Sequence, residues 1–241
     1  YNNDSEILVE FNSFHNSHIS LSYLSNLLSQ KYKSSISAFF NYSIISSPIK
    51  NTLINEIKWK LGNFFSLKTF GIYRSFGAKK IFRPKISEET QIISEKYLKK
   101  IFSKLKNKKD VLKIRFDNIL VGDLIYDTYL KRFVKPTIDI NDSKFYDLVK
   151  NFLYLYFFWK SYFKEKNVKA VIGVHTPYSY GLILRLAISK NIPTYATSSR
   201  FLYSLTKKMP YMHGQFKDFK KTFSKLDNRF KKKALLLAKK K

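Results

Sequence analysis

Apolar residues along this chain fall into two alternating patterns, short unbroken runs and longer stretches with a three-to-four-residue repeat, and the alternation predicts strands interleaved with helices. The clearest instance is VKAVIGVHTPYSYGLILRLAISKNIPTY at 168–195. Residues 168–174 are mostly β-branched and apolar with no helical period, which suits a strand buried on both faces of a parallel sheet. His175, Thr176, Pro177, Tyr178 and Ser179 follow as a polar loop, and Pro177 suits a first helical turn. Residues 180–189 carry apolar positions at helical spacing, Asn191 and Pro193 break the helix, and 192–196 begins the next strand. The unit is βαβ. Such units bind ligands in the crevice beyond the carboxyl ends of their strands, which is where His175 falls.

The opening of the chain repeats the arrangement. EILVEF at 6–11 reads as a strand, 12–17 as a polar loop containing His15, 19–32 as a helix spaced by Leu21, Leu24, Leu27 and Leu28, and 35–42 as a second strand. His15 and Asn16 therefore lie at a helix amino end, where free N–H groups and the helix dipole favour anions. Between the two units the pattern predicts a helix at 51–63 and a mixed stretch at 66–84 with room for a short helix and a strand. A helix at 90–104 follows, capped by Ser87 with Glu88 and Glu89 at its start, then a basic turn at 106–109 and a short strand within 114–121. DLIYDTYLKR at 123–132 comes after Gly122, 137–140 is an extended linker, and 142–166 is a long aromatic helix. Its run FLYLYFFW is far shorter than the ~20 apolar residues a membrane-spanning helix needs, so this helix is expected to be buried against the sheet.

Beyond Ala196, TSSRFLYSLTKK is a strand or loop and 209–214 a turn; 218–241 reads as one or two lysine-rich surface helices with Leu226, Phe230 and Ala234 as an apolar stripe. The expected fold class is α/β, a Rossmann-like three-layer sandwich with a mostly parallel sheet and extra helices. It would occupy 1–205, with 206–241 a basic helical tail or linker.

Composition narrows the partners. With 44% hydrophobic and 17% aromatic residues, a chain of 241 residues buries a sizeable core despite a formal net charge of +28. Seven of the 45 basic residues are arginine and the rest lysine, whereas nucleic-acid readers favour arginine for bidentate contacts. Richness in Lys, Asn, Ile, Phe, Tyr and Ser resembles drift in a coding sequence poor in G and C. Much of the charge is therefore read as a solvated lysine surface; an anionic membrane or a phosphorylated substrate is the partner it would attract, and nucleic acid the disfavoured one. The absence of cysteine excludes disulfides, thiol nucleophiles and thiolate metal sites, and His15, His18, His175 and His213 are too scattered for a metal-ligand spacing. The chain opens on Tyr1 without a signal-peptide pattern, so an internal piece of a cytoplasmic protein is expected.

Three segments, VGDLIYDTYLKR at 121–132, the unit at 168–195, and the tail containing SLTKKMPY and KALLLAKKK, together resemble bacterial capsule and surface polysaccharide biosynthesis proteins of the GT-B glycosyltransferase type. The resemblance is to the amino-terminal, acceptor-side half. It implies a glycan or lipid-linked acceptor on this domain and a nucleotide-sugar donor on a C-terminal domain in cis, with no cofactor on the domain itself. It also implies a place in lipopolysaccharide or capsule assembly, in the cytoplasm and peripheral at the inner membrane. No GxGxxG or GxxxxGK loop is present, so the donor site would lie beyond Lys241 and this stretch alone would be inactive.

Glycosyl transfer requires a general base and positive charge at the departing phosphate. Under the resemblance His175 is the first candidate base and Glu10 the second; a core hydrogen bond or a helix cap is the competing role for His175. Asp123 and Asp127 are four residues apart and share a helix face suited to holding a base, a hydroxyl or Arg132, while an N-cap role competes for Asp123. Tyr126 and Tyr129 either stack on the ligand or pack, and Tyr178 belongs to the same polar loop as His175. Arg185 and Arg200 are candidates for phosphate, with a surface ion pair competing for Arg185. His15 and Asn16 would meet acceptor or phosphate, and His18 and His213 are expected at the surface.

Overall fold

The computed structural model describes residues 5–41, 53–198, 201–214 and 219–239. In chain order the elements are β1 (Ser5–Glu10), α1 (His15–Tyr32), β2 (Ser35–Phe39), α2 (Leu53–Phe64), α3 (Thr69–Ser75), β3 (Ala78–Phe82), α4 (Glu88–Phe102), α5 (Lys108–Val111), β4 (Arg115–Phe116), β5 (Ile119–Leu120), α6 (Gly122–Phe133), α7 (Ser143–Glu165), β6 (Asn167–Gly173), α8 (Tyr180–Ser189), β7 (Thr194–Thr197), β8 (Leu202–Leu205), α9 (Phe219–Ser224) and α10 (Asn228–Lys239). Tyr42 and residues 51–52, assigned above to a strand and a helix, lie outside the described residues.

The main sheet has the order β3-β2-β1-β6-β7-β8, parallel throughout except for the antiparallel β7–β8 pair at one edge. From β1 the chain winds outward through β2 to β3, then returns to place β6 on the other side of β1. The adjoining carboxyl ends of β1 and β6 are thus the point where the winding reverses, and an open crevice forms there in sheets of this kind. The architecture is an α/β fold with a mostly parallel six-stranded sheet flanked by helices, consistent with a Rossmann-like fold.

Strand alternation divides the core. Ile7 and Val9 of β1, with Ala170 and Ile172 of β6, pack against Leu21, Leu24 and Leu28 of α1 and against Tyr73 and Phe76. Leu8 and Val171 face the opposite layer, where α6, α7 and α8 contribute Leu124, Ile125, Phe152, Trp159, Leu182 and Leu184. Because both faces are covered, all six side chains of β1 are buried, two glutamates included. Glu6 is satisfied by the Tyr162 hydroxyl of α7, which donates to its carboxylate at 2.5 Å.

Local chemistry accounts for the helix ends. The Ser87 hydroxyl accepts from the Thr90 backbone N–H to start α4, and Asp142 accepts from Lys144 N–H to start α7. The apolar stripe of α7, from Phe145 through Val149, Phe152, Tyr156 and Trp159, is buried as its spacing predicts. The basic stretch around 106–109 is only in part a turn. A capping box between Asn107 and Asp110 starts the short α5 there. The strand expected within 114–121 is instead the β4–β5 hairpin, reversed at Asp117, whose φ of 50° is a left-handed conformation that Asp tolerates better than most residues. Pro177 precedes α8 rather than occupying its first turn. At the far end, α9 and α10 bury no residue, and Leu226 and Phe230 of the expected stripe are exposed.

Candidate functional site

A cleft of about 700 Å³ opens where the chain winding reverses. Its walls are the loop after β1 and the first turn of α1 (Phe14, Asn16, Ser17), the loop after β6 (Val174, His175, Thr176, Pro177), α6 (Asp123, Leu124, Asp127), Arg185 of α8, the end of β7 (Thr197, Ser198) and a returning turn at 211–213. Its volume lies within the usual span for small-molecule sites.

Asn12 organises the β1 side. Its Oδ1 accepts from Phe14 N–H at 2.8 Å and from the Ser17 hydroxyl at 3.3 Å, which turns the chain into α1. The Tyr73 hydroxyl bridges the strand end, donating to the Glu10 carbonyl at 2.6 Å and accepting from Asn12 N–H at 3.1 Å. His18 is buried rather than at the surface, because its Nε2 reaches the Asn12 carbonyl at 2.9 Å. Asn16 lines the cleft; His15 is exposed beside it, its ring 5.6 Å from that of His18.

On the β6 side, two glycines bring the backbone close. A Cβ on Gly173 would sit 3.1 Å from Leu184 and 3.3 Å from the Glu10 carboxylate, and one on Gly181 would lie 2.2 Å from the Thr176 carbonyl. The Thr176 hydroxyl accepts from Met212 N–H at 3.0 Å and so ties the loop after β6 to the returning turn. His175 lies between the rings of Phe14 and Tyr180, at 5.3 and 5.5 Å. Burial, aided by the Lys131 charge, lowers its pKa, so the imidazole is neutral near pH 7. Tyr178 adopts a left-handed φ of 58° and carries Lys131 over its ring at 4.2 Å, outside the cleft lining.

Glu10 is 3% exposed and sits behind the loop after β6 rather than among the lining residues. Its Oε2 accepts from Val174 N–H at 2.7 Å, and the His175 N–H also stabilises the ionised form. Burial outweighs both and pushes its pKa up to about 7.

Asp123 is not the N-cap of α6. Val121 holds that position, and Asp123 forms a bidentate pair with Arg185, both contacts 2.6 Å, while Arg185 also donates to the Leu120 carbonyl at 2.7 Å. The arginine side chain is 7% exposed, so this ion pair is interior on the arginine side and not a surface one. One turn on, Asp127 faces the cleft; partial burial and the neighbouring Asp123 raise its pKa. Tyr126 packs against the core instead of lining the cleft, and Tyr129 is buried, its hydroxyl donating to Asp142 at 2.6 Å. Arg200 lies outside the described residues.

The site therefore gathers Asn16, Asp123, Asp127, His175 and Arg185 into one cleft, with Glu10 immediately behind it. Phe14, Ser17, Thr176, Thr197, Ser198 and the 211–213 turn were not foreseen as site residues. The signal for Thr197 and Ser198 is present in the sequence, since the two hydroxyl residues directly follow the strand expected at 192–196 and in the structure stand at the end of β7. Nothing local marks Tyr211 or Met212, which arrive by a long return of the chain. His213 is exposed as expected and lies at the cleft edge, with its Nδ1 2.8 Å from the Tyr203 hydroxyl. Among the described residues, no cluster of three or more His, Cys, Asp or Glu has metal-holding geometry, and no helix is long and apolar enough to cross a membrane.

No protein-family model matches the chain, and no curated protein matches it. Among solved structures, a CDPS (cyclodipeptide synthase) from Fluoribacter dumoffii is similar at 11% identity and a TM-score of 0.45, over 78% of this chain and 85% of that one. The resemblance to GT-B glycosyltransferases is overturned: this solved structure is a cyclodipeptide synthase and not a glycosyltransferase, and no family model or curated protein links the chain to capsule or lipopolysaccharide biosynthesis. The expected nucleotide-sugar donor and glycan acceptor rested on that resemblance alone. A likeness at this level carries no assignment of chemistry from the neighbour to this chain.

Proposed function

We propose that this chain binds a small polar molecule bearing an amino or hydroxyl group in the cleft between the carboxyl ends of β1, β6 and β7, and that the cleft is built for proton transfer. One observation carries the reading. Among the described residues, three buried side-chain polar atoms find no hydrogen-bond partner, Glu10 Oε1, His175 Nδ1 and Arg185 Nε, and all three belong to the residues in or directly behind this one cleft. Each unmade bond costs about 1–3 kcal/mol, so their convergence at the crevice of an α/β sheet favours a binding site over a packing fault.

Charge points to the ligand. Asp123 and Arg185 neutralise each other, which leaves Asp127 as the lining carboxylate that forms no ion pair among the described residues. A protonated amine fits it best, with the hydroxyls of Ser17, Thr176, Thr197 and Ser198 for neighbouring polar groups. His175, neutral at physiological pH, is the proton acceptor, and Glu10, titrating near neutrality, is a reserve of charge behind the same loop.

A thermal-shift screen of the full chain against amino- and hydroxyl-bearing metabolites tests this. A ligand at ~100 times its dissociation constant adds about 2.7 kcal/mol of stability. For a chain of this size that raises Tm by about 5–10 °C. The shift should disappear in Asp127→Asn and His175→Ala. A shift that survives both substitutions, or a screen in which every compound is silent, refutes the reading.

A further inference from the structure

On the other side of Arg185 lies a second cavity, of about 750 Å³, and we infer that it is a binding site for the phosphate groups of a small oligophosphate-bearing molecule. It is framed by the β4–β5 hairpin, α7, the carboxyl end of α8 and the segment 207–211, and it shares Arg185 and Tyr211 with the first cleft. The inference does not depend on the proton-transfer reading of that cleft.

Six of the 16 lining residues are Lys or Arg, about twice the proportion in the chain as a whole, so the cavity is enriched above an already basic surface. The cavity's sole lining carboxylate, Asp117, is already engaged: it accepts from the Tyr156 hydroxyl at 2.6 Å and pairs with Lys160 at 2.7 Å. Arg185 is likewise occupied by Asp123. Arg115, Lys190, Lys207 and Lys208 remain, and no ion pair with a carboxylate is formed by any of them among the described residues.

Four cations that form no ion pair among the described residues surround one concavity and repel one another, with Lys190 drawn only at longer range to Asp117, and an anion with several charges relieves that repulsion. Two of them are held in position by backbone. Lys207 and Lys208 form the tip of a tight turn closed by Thr206 N–H to the Met209 carbonyl at 3.0 Å and Met209 N–H to the Thr206 carbonyl at 3.1 Å. Arg115 is steadied by donation to the Asn118 carbonyl at 3.0 Å. The apolar lining residues Ile119, Leu186 and Tyr211, together with the volume, favour a compact ligand over an extended polymer.

Calorimetric titration of the full chain with inorganic tripolyphosphate at about physiological salt, where the Debye length is ~8 Å, tests the site. Saturable binding should weaken about tenfold or more in Lys207→Gln/Lys208→Gln and in Arg115→Gln, which remove charge-assisted contacts. The control pair Lys99→Gln/Lys100→Gln, exposed on α4 outside the cavity, should bind like wild type. All substituted side chains are exposed, so each variant should melt with wild type, and Lys190→Gln is the substitute for any that does not. No saturable binding, or equal weakening in the α4 pair, overturns the inference. So does a short single-stranded oligonucleotide that binds about tenfold more tightly than tripolyphosphate through the same residues, since that marks a polymer site.

Discussion

Replacing Glu10 with glutamine should remove a pH-dependent penalty that the wild-type fold carries near neutrality. The carboxyl group is almost wholly buried, with two backbone N–H groups stabilising its charged form and Oε1 unpartnered, and burial moves its pKa from an ordinary 4.5 up to about 7. The folded chain therefore holds this proton more tightly than the unfolded chain. The stabilisation is complete below about pH 4.5 and is lost as pH rises through about 7. At 1.36 kcal/mol per pKa unit, the loss by pH 7 is about 3 kcal/mol. Glutamine preserves an acceptor for Val174 N–H and does not titrate. Urea unfolding of both proteins at intervals between pH 4.5 and 8 gives the difference directly: the stability of Glu10→Gln relative to wild type should climb by about 3 kcal/mol, or about 6–12 °C in Tm. Other titrating groups are common to both proteins and cancel. A difference that stays flat within about 0.5 kcal/mol, or that falls with rising pH, refutes the argument that burial dominates at this carboxylate.

Asp123→Ala leaves the Arg185 guanidinium buried without its bidentate partner and should cost about 2–4 kcal/mol, less than a fully interior pair because Asp123 is one-third exposed. Adding Arg185→Met should recover part of the loss, with a coupling of about 1 kcal/mol or more in a double-mutant cycle measured by denaturant unfolding; strict additivity would show a solvent-screened pair. Gly181→Ala drives a methyl group to 2.2 Å from the Thr176 carbonyl and 2.9 Å from Leu124, and should cost about 3 kcal/mol as the loop after β6 is pushed off α8. Thermal melting unchanged from wild type would mean the loop gives way freely.

Much of the fold was legible because burial on both faces of a parallel sheet leaves a direct trace. The strand read at 168–174 is β6 at 167–173, one residue earlier, 180–189 form α8, and the first βαβ unit sits where the runs of Leu and Ile place it. The hairpin at 115–120 was harder to read. Two strands of two residues each have no periodicity to detect, and the reversal depends on a left-handed Asp117. His18 shows the same limit for burial: a polar residue at a helix start reads as exposed, and it becomes interior because the Asn12 carbonyl offers it a partner.

The site divides in the same way. His175 and Asn16 were visible as polar residues at strand and helix ends, since position in a βαβ unit follows from local order along the chain. Asp123 and Arg185 are each identifiable as charged residues on a helix, but 62 positions separate them, and only the packing of α6 against α8 turns two candidate ligand contacts into one ion pair. The glycosyltransferase reading failed for a related reason: shared strand–loop–helix patterning reports the physics of a parallel sheet, which many unrelated proteins obey. By itself the sequence determined the period of each long element, the mixed α/β class and the lysine-dominated surface, because these depend on side chains and their near neighbours. Tertiary structure alone decided that Glu10 is shut behind a loop, that the 211–213 turn closes the cleft, and that Arg115, Lys190, Lys207 and Lys208 share one cavity. Burial, pairing and convergence are properties of residues distant in the chain, and their energies exist only once the sheet has brought those residues together.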